Sequence, residues 1–256
     1  MKNAFLIFPI LCFLSAPLWA AETADAPEEK TVQAASPCQM DDRVCVLKQI
    51  EETAEAIDNK SWHDQTLREL AKTYAFEGDT DKAISLIAKI QTPDTQAMTI
   101  RGIGMAAAGN ELSQEQYDEL FAKLRKAAET ISHPPSYAIA LTYIAMAQAF
   151  AEDDEGAWKT AADMENDALR HKAFGETAEI QAERGDFDAA MHSIEQIDSE
   201  AYRNKAYNIV AKLLADRKLF QEALNAAANI TNAYKKAETM QYILDIQKPR
   251  AVERGG

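Results

Sequence analysis

Apolar side chains recur along this chain at spacings of three and four residues, which places them on one side of a helix. Between residues 167 and 197 the pattern reads as two helices. Leu169, Ala173, Phe174, Thr177, Ala178 and Ala182 share one stripe, while Glu176, Glu179, Glu183 and Arg184 lie mostly off it. Gly185 is suited to the left-handed conformation that closes a helix, and Asp186 to capping the next one. The second stripe is Phe187, Ala190, Met191, Ile194 and Ile197. Neither helix can bury its stripe alone, so each predicts a neighbour.

The hairpin repeats. Thirty-three residues on, Phe220, Ala223, Leu224, Ala227 and Ile230 restate the second stripe; thirty-three back, Asp154, Ala157, Trp158, Ala161 and Met164 do so. Gly78-Asp79 followed by Ala83, Ile84, Ile87 and Ile90 gives a further copy. In the first helices, Leu70-Ala71, Ile144-Ala145, Thr177-Ala178 and Val210-Ala211 hold one place. Two helices per unit with a period in the low thirties predict an all-α, right-handed α-solenoid of about five hairpins with terminal capping helices. The hairpins are expected at 62–90, 94–131, 135–164, 166–197 and 199–230, with a capping helix over 232–246. Residues 94–131 form a longer unit, with Gly109-Asn110 as the turn, Ser113 as a cap and an insertion of about four residues. Ahead of them, Val44, Leu47, Ile50, Ala54 and Ile57 share a stripe and predict a helix.

Residues 1–20, MKNAFLIFPILCFLSAPLWA, break the pattern. One cation, a short apolar run and a small residue at the end predict a secretory signal peptide cut after Ala20. Its prolines and short length argue against a permanent anchor, and no second segment is long and apolar enough to span a bilayer. Residues 21–40 read as a disordered acidic leader, 41–247 as the helical-repeat region and 248–256 as a flexible tail. Setting Cys12 aside with the signal leaves Cys38 and Cys45, whose direct reading in an exported chain is a disulfide; a redox-active pair is the alternative. The net charge of −14 becomes −15 once Lys2, the one charged residue of 1–20, is removed. That sign repels phosphates and disfavours a nucleic-acid partner.

The four histidines, His63, His133, His171 and His192, fit no metal-ligand spacing and read as solvated or locally hydrogen-bonded. RGIGMAAAG at 101–109 lies inside a helical pattern, where its small residues permit close packing. Asp153-Asp154-Glu155 reads as a helix start favoured by the dipole. No catalytic constellation, metal site or cofactor is predicted.

The unit resembles the tetratricopeptide repeat. The family's small first-helix residue matches Ala71, Ala145, Ala178 and Ala211; its following aromatic matches Tyr74; its turn matches Gly78-Asp79 and Gly185-Asp186. Its second-helix alanine matches Ala83, Ala157, Ala190 and Ala223, and its proline is nearly matched by Pro93. The first-helix Trp and Leu-Gly pair are mostly missing, so the likeness is to a divergent repeat over about 62–246. The resemblance implies that the first helices line a concave groove. This would present Gln65, Arg68, Lys72 and Phe76, then Ile139, Thr142, Met146 and Phe150, then Lys172, Glu179, Glu183, Lys205, Asn208 and Lys212. Arg68, Lys72, Phe76, Lys172, Lys205, Asn208 and Lys212 are the candidate partner-binding residues, since Lys and Asn can hold peptide carboxylates. Ordinary surface lysines, with the apolar set of the third unit as core, remain the alternative. The expected function is a non-catalytic periplasmic or secreted scaffold that binds a protein or peptide of the cell envelope. A helical-repeat enzyme acting on envelope polysaccharide and a ligand-sensing regulator are the other readings.

Overall fold

Among the described residues, long helices of 15 to 18 residues start at Lys60, Pro93, Pro134, Asp167, Glu200 and Ala233, each 33 residues after the last except for one step of 41 from Pro93 to Pro134, within which a further helix of 15 residues lies. The computed structural model describes residues 38, 39 and 41–248, and among these every regular element is helical. The expected signal peptide 1–20 with Cys12, nearly all of the leader 21–40 and residues 249–256 of the tail lie outside the described residues. In order the elements are α1 (Arg43–Ala54), α2 (Lys60–Phe76), α3 (Thr80–Ile87), α4 (Pro93–Ala108), α5 (Gln114–Ala128) and α6 (Pro134–Phe150). They continue as α7 (Asp154–Ala162), α8 (Asp167–Arg184), α9 (Phe187–Glu195), α10 (Glu200–Asp216), α11 (Phe220–Ala228) and α12 (Ala233–Gln247).

Local chemistry sets these boundaries. Asp42, Asn59, Asp79, Ser113, Asp153, Asn166, Asp186 and Asn232 each accept a backbone N–H of their helix's first turn. α4 and α6 instead begin on Pro93 and Pro134, whose missing N–H costs nothing there. Each hairpin turn holds one left-handed residue: Gly78, Glu111, Glu152, Gly185 and Lys218. They follow the same 33 and 41 spacing as the helix starts. In four of the five turns the next residue donates its N–H back across the helix end, Asp79 to Tyr74, Asp153 to Gln148, Asp186 to Gln181 and Leu219 to Leu214, each at 2.9 Å. The turn chemistry expected at Gly78 and Gly185 is therefore shared by Glu152 and Lys218, which lack the glycine that signals it. In the second hairpin the left-handed residue is Glu111, beyond Gly109-Asn110.

Each long helix packs on the next long helix: α2 on α4, α4 on α6, α6 on α8, α8 on α10 and α10 on α12. The short helices α3, α7, α9 and α11 each fill the space between two successive long ones. Their fourth residues, Ala83, Ala157, Ala190 and Ala223, are all fully buried, as are Ala71, Ala145, Ala178 and Ala211 in the long helices. The same long-helix position in α4 is Gly104. A Cβ there would lie 2.6 Å from the Ala147 Cβ of α6, so the small residues of 101–109 do permit close packing.

Two interior polar contacts repeat at the 33-residue step. Thr160 donates to the Gln148 side chain at 2.6 Å, and thirty-three residues later Ser193 donates to that of Gln181 at 2.6 Å. One further step along, Leu214 and Ala226 stand at the corresponding positions, so donor and acceptor are replaced together. Gln148→Leu should therefore cost about 2 kcal/mol by stranding the Thr160 hydroxyl. Adding Thr160→Ala should recover about half of that loss. Chemical denaturation of the single and double variants checks this; additive losses would mean the two side chains are not coupled.

Three local expectations are corrected. The α1 stripe is not buried as a unit: Leu47 and Ala54 are buried, but Val44 and Ile50 are exposed, because α1 packs substantially only on α2. His63 is buried and hydrogen-bonded to Asp64, one of the two readings given for it, whereas His171 is buried with its Nε2 unbonded, which neither reading anticipated. The insertion in the second unit is eight residues, not about four, and is absorbed mainly by α5, nearly twice the length of α3. Cys38 and Cys45 form a disulfide with an S–S distance of 2.00 Å, joining the segment before α1 to its first turn.

Candidate functional site

The interior polar groups serve the fold. Asp64, on α2, accepts from the backbone N–H groups of Gln91 and Thr92 at 3.0 and 2.8 Å and from His63 at 3.2 Å. Burial opposes its charge, but these bonds outweigh burial and hold the carboxyl below its usual range. Asn204, at the same place on α10, accepts from Thr231 N at 2.8 Å. His171 holds this place on α8, with its Nε2 buried, unbonded and 3.9 Å from an Asp198 carboxylate oxygen. His192 lies against the ring of Trp158.

Asp94, Ser136 and His133 also meet. Ser136 donates to Asp94, and His133 Nδ1 sits 2.7 Å from its hydroxyl. Nucleophilic activation needs the imidazole between the hydroxyl and the acid, whereas here the fully buried serine is in the middle. The trio braces the start of α6 against α4. Among the described residues no group of three or more His, Cys, Asp or Glu side chains is placed to hold a metal, and no helix is long and apolar enough to cross a membrane.

Surface clefts occur on both sides of the helix array. Two large ones, about 770 and 650 Å³, are lined by α5 and α7 residues such as Asp118, Arg125 and Lys159 and by the α8–α9 turn with Asp188. Others lie between the longer helices. The one across α4, α6 and α8, about 410 Å³, combines an apolar floor of Met105, Tyr143, Met146, Phe150 and Ile180 with Arg101, Lys172, Glu176, Glu179 and Glu183. A second, about 540 Å³, lies between α10 and α12 and is lined by Lys205, Asn204, Asn208 and Lys235. A third, about 530 Å³, lies between α1 and α2 beside Val46, Ile50 and Leu70.

The seven partner-binding candidates do not converge on one point. Lys172 lies in the first cleft, and Lys205 and Asn208 share the second. Arg68 and Lys72 both bond the Glu69 carboxylate, at 2.8 and 2.7 Å, and the Lys72 stem lies against Gly102. Lys172 approaches Glu176 to 3.4 Å, Asn208 donates to Thr239, and Lys212 sits 5.4 Å above the Tyr242 ring. Phe76 is exposed. Of the apolar set from the third unit, Thr142 is buried, Ile139 and Met146 are partly buried, and Phe150 is exposed.

The residues missed from the sequence, Arg101, Met105, Tyr143, Glu176 and Ile180, complete the first cleft. Arg101 and Met105 stand 33 residues after Arg68 and Lys72, so the offset of the first pair of units would have placed them.

Glu179 has an unusual electrostatic position. Burial, then the neighbouring charges of Glu176 and Glu183, push its carboxyl above the usual range against the weaker pull of Lys205 and Lys172. A carboxyl raised by folding binds its proton more tightly in the folded chain. Its contribution to stability is therefore fully present below the unfolded-state pKa and is lost as pH rises through the raised one. Glu179→Gln should raise the melting temperature at neutral pH and leave it nearly unchanged at about pH 4. An equal effect at both pH values would rule out this electrostatic origin.

No family model, no curated protein and no solved structure matches this chain.

Proposed function

We propose that the chain is a non-catalytic interaction scaffold, a tetratricopeptide-like α-solenoid that holds a protein or peptide partner along the face made by its long helices. The observation that carries this reading is the succession of six helices that start 33 residues apart, with one step of 41, and clefts between neighbours among them. The recurrence of buried alanines and left-handed turn residues at the same step supports it. A row of such units offers an extended surface, the usual use of stacked helical hairpins.

The compartment belongs to the same proposal. A leader of the secretory kind and the disulfide between Cys38 and Cys45 suit an oxidising, exported setting, periplasmic or secreted. The partner is then a protein or peptide of the cell envelope, engaged in assembly or regulation of a complex there.

Site-specific photocrosslinking in cells tests the reading. A photoreactive residue at Phe150 or Lys205 should capture a defined protein, and one at Asp188, on the short helix α9, should not. Capture from Asp188 alone, or from none of the three, would refute it.

A further inference from the structure

The cleft across α4, α6 and α8 has a composition that selects among peptides. Its floor is apolar and soft: Met146 and Met105 adapt their shape, and Phe150 is about half exposed. Its cations are already engaged. The Arg101 guanidinium lies 5.5 Å from the Tyr143 ring centre, and Lys172 reaches Glu176. Glu179 and Glu183 stand one turn apart on the same wall, and neither forms an ion pair within 4 Å among the described residues. The electrostatic balance of this wall is therefore short of positive charge beside an open apolar surface.

We infer that this cleft receives a peptide segment in which a lysine or arginine stands next to aliphatic or aromatic side chains. The cation meets the Glu179 and Glu183 carboxylates while its neighbour covers Phe150 and Met146. A charge-assisted hydrogen bond in a partly desolvated site is stronger than its equivalent in water, and the aromatic floor favours the cation further. The inference rests on the scaffold reading and specifies the partner's chemistry at one place on it.

Three short labelled peptides test it by fluorescence anisotropy with the full chain: alternating Leu and Lys, alternating Leu and Glu, and alternating Ser and Lys. The Leu–Lys peptide should bind at least about tenfold more tightly than either other, since each needed contribution is worth roughly 1.4 kcal/mol. The double variant E179Q/E183Q should weaken it about tenfold. The double variant E155Q/D188N, which removes the same charge from the short helices, should leave its affinity unchanged. Equal binding of the Leu–Glu peptide, equal loss in both double variants, or no binding by the Leu–Lys peptide would overturn the inference. Failure of the scaffold reading is read separately. If the photocrosslinker at Phe150 captures a partner through an acidic or uncharged segment, the scaffold stands and the cationic specificity falls; if no long-helix position captures a protein, both fall.

Discussion

Gly104→Ala is expected to cost about 3 kcal/mol of stability, a large loss for the addition of one methyl group. The new Cβ would stand 2.6 Å from the Ala147 Cβ and 3.6 Å from Leu124 Cδ1. Leu124 can turn aside. The Ala147 Cβ cannot, because it is fixed to the backbone of α6, so the two helices must separate. That separation would also disturb the buried stripe of Ile100, Ile103 and Ile144. Alanine's better helix propensity offsets at most about 1 kcal/mol of the cost. Gly175→Ala supplies the comparison, because nothing lies within 4 Å of a Cβ at that position in α8. It should stabilise the chain by roughly 0.5–1 kcal/mol. Thermal melts should show the Gly104 variant lower by several degrees and the Gly175 variant slightly higher. Equal stability of the two would contradict the close approach of α4 and α6.

Asp64→Ala should cost about 3 kcal/mol and change how stability responds to acid. The substitution strands two backbone N–H groups, Gln91 and Thr92, at the junction that leads into α4. Asp64→Asn keeps an acceptor and should cost less, as Asn204 shows by performing the same task at Thr231. The sign of the pH effect follows from the lowered carboxyl pKa. A carboxyl lowered by folding contributes stability above its unfolded pKa and loses it as pH falls through the folded one. Wild-type stability should thus fall steeply below the ordinary carboxylate range, and Asp64→Asn should flatten that fall. Denaturation at a series of acidic pH values decides it; parallel curves for wild type and Asp64→Asn would show that Asp64 is not the group responsible. Glu179 works in the opposite sense, so the two residues produce separable limbs of one pH–stability curve.

Much of the architecture was legible because the forces that shape it are local. The three-to-four spacing of Ala190, Ile194 and Ile197 identifies a buried helix face whatever packs on it, and Ser113 and Asp186 cap where expected. The all-helical class followed from these. What local pattern could not supply was the identity of the neighbours. Val44 and Ile50 sit on a good stripe, but their helix packs substantially on α2 alone, so part of the stripe stays in solvent. His171 sits near a helix start that is ordinarily wet; here Asp198, in the connection into α10, and the Tyr202 ring on α10 lie beside it. The extra length of the second unit was underestimated because Tyr117, Leu120, Phe121, Leu124 and Ala128 continue one stripe without interruption. The cation pairings in the candidate groove were legible but unread. Glu69 precedes Lys72 by three residues and Glu176 follows Lys172 by four, spacings that bring side chains together on a helix. The first cleft was hidden for another reason, since it draws on three helices and needs the irregular second unit to be placed before Arg101 and Tyr143 can be seen together.

The pattern of packing also bears on how quickly the chain can reach this state. Every substantial helix contact joins elements one or two places apart in chain order. The loops that must close to make those contacts are short, so the entropy lost before packing begins to compensate is small. A low contact order of this kind places folding toward the fast end for a chain of this size. No helix has to wait for a partner from the far end of the polypeptide, so a nascent chain can pack in the order in which it emerges.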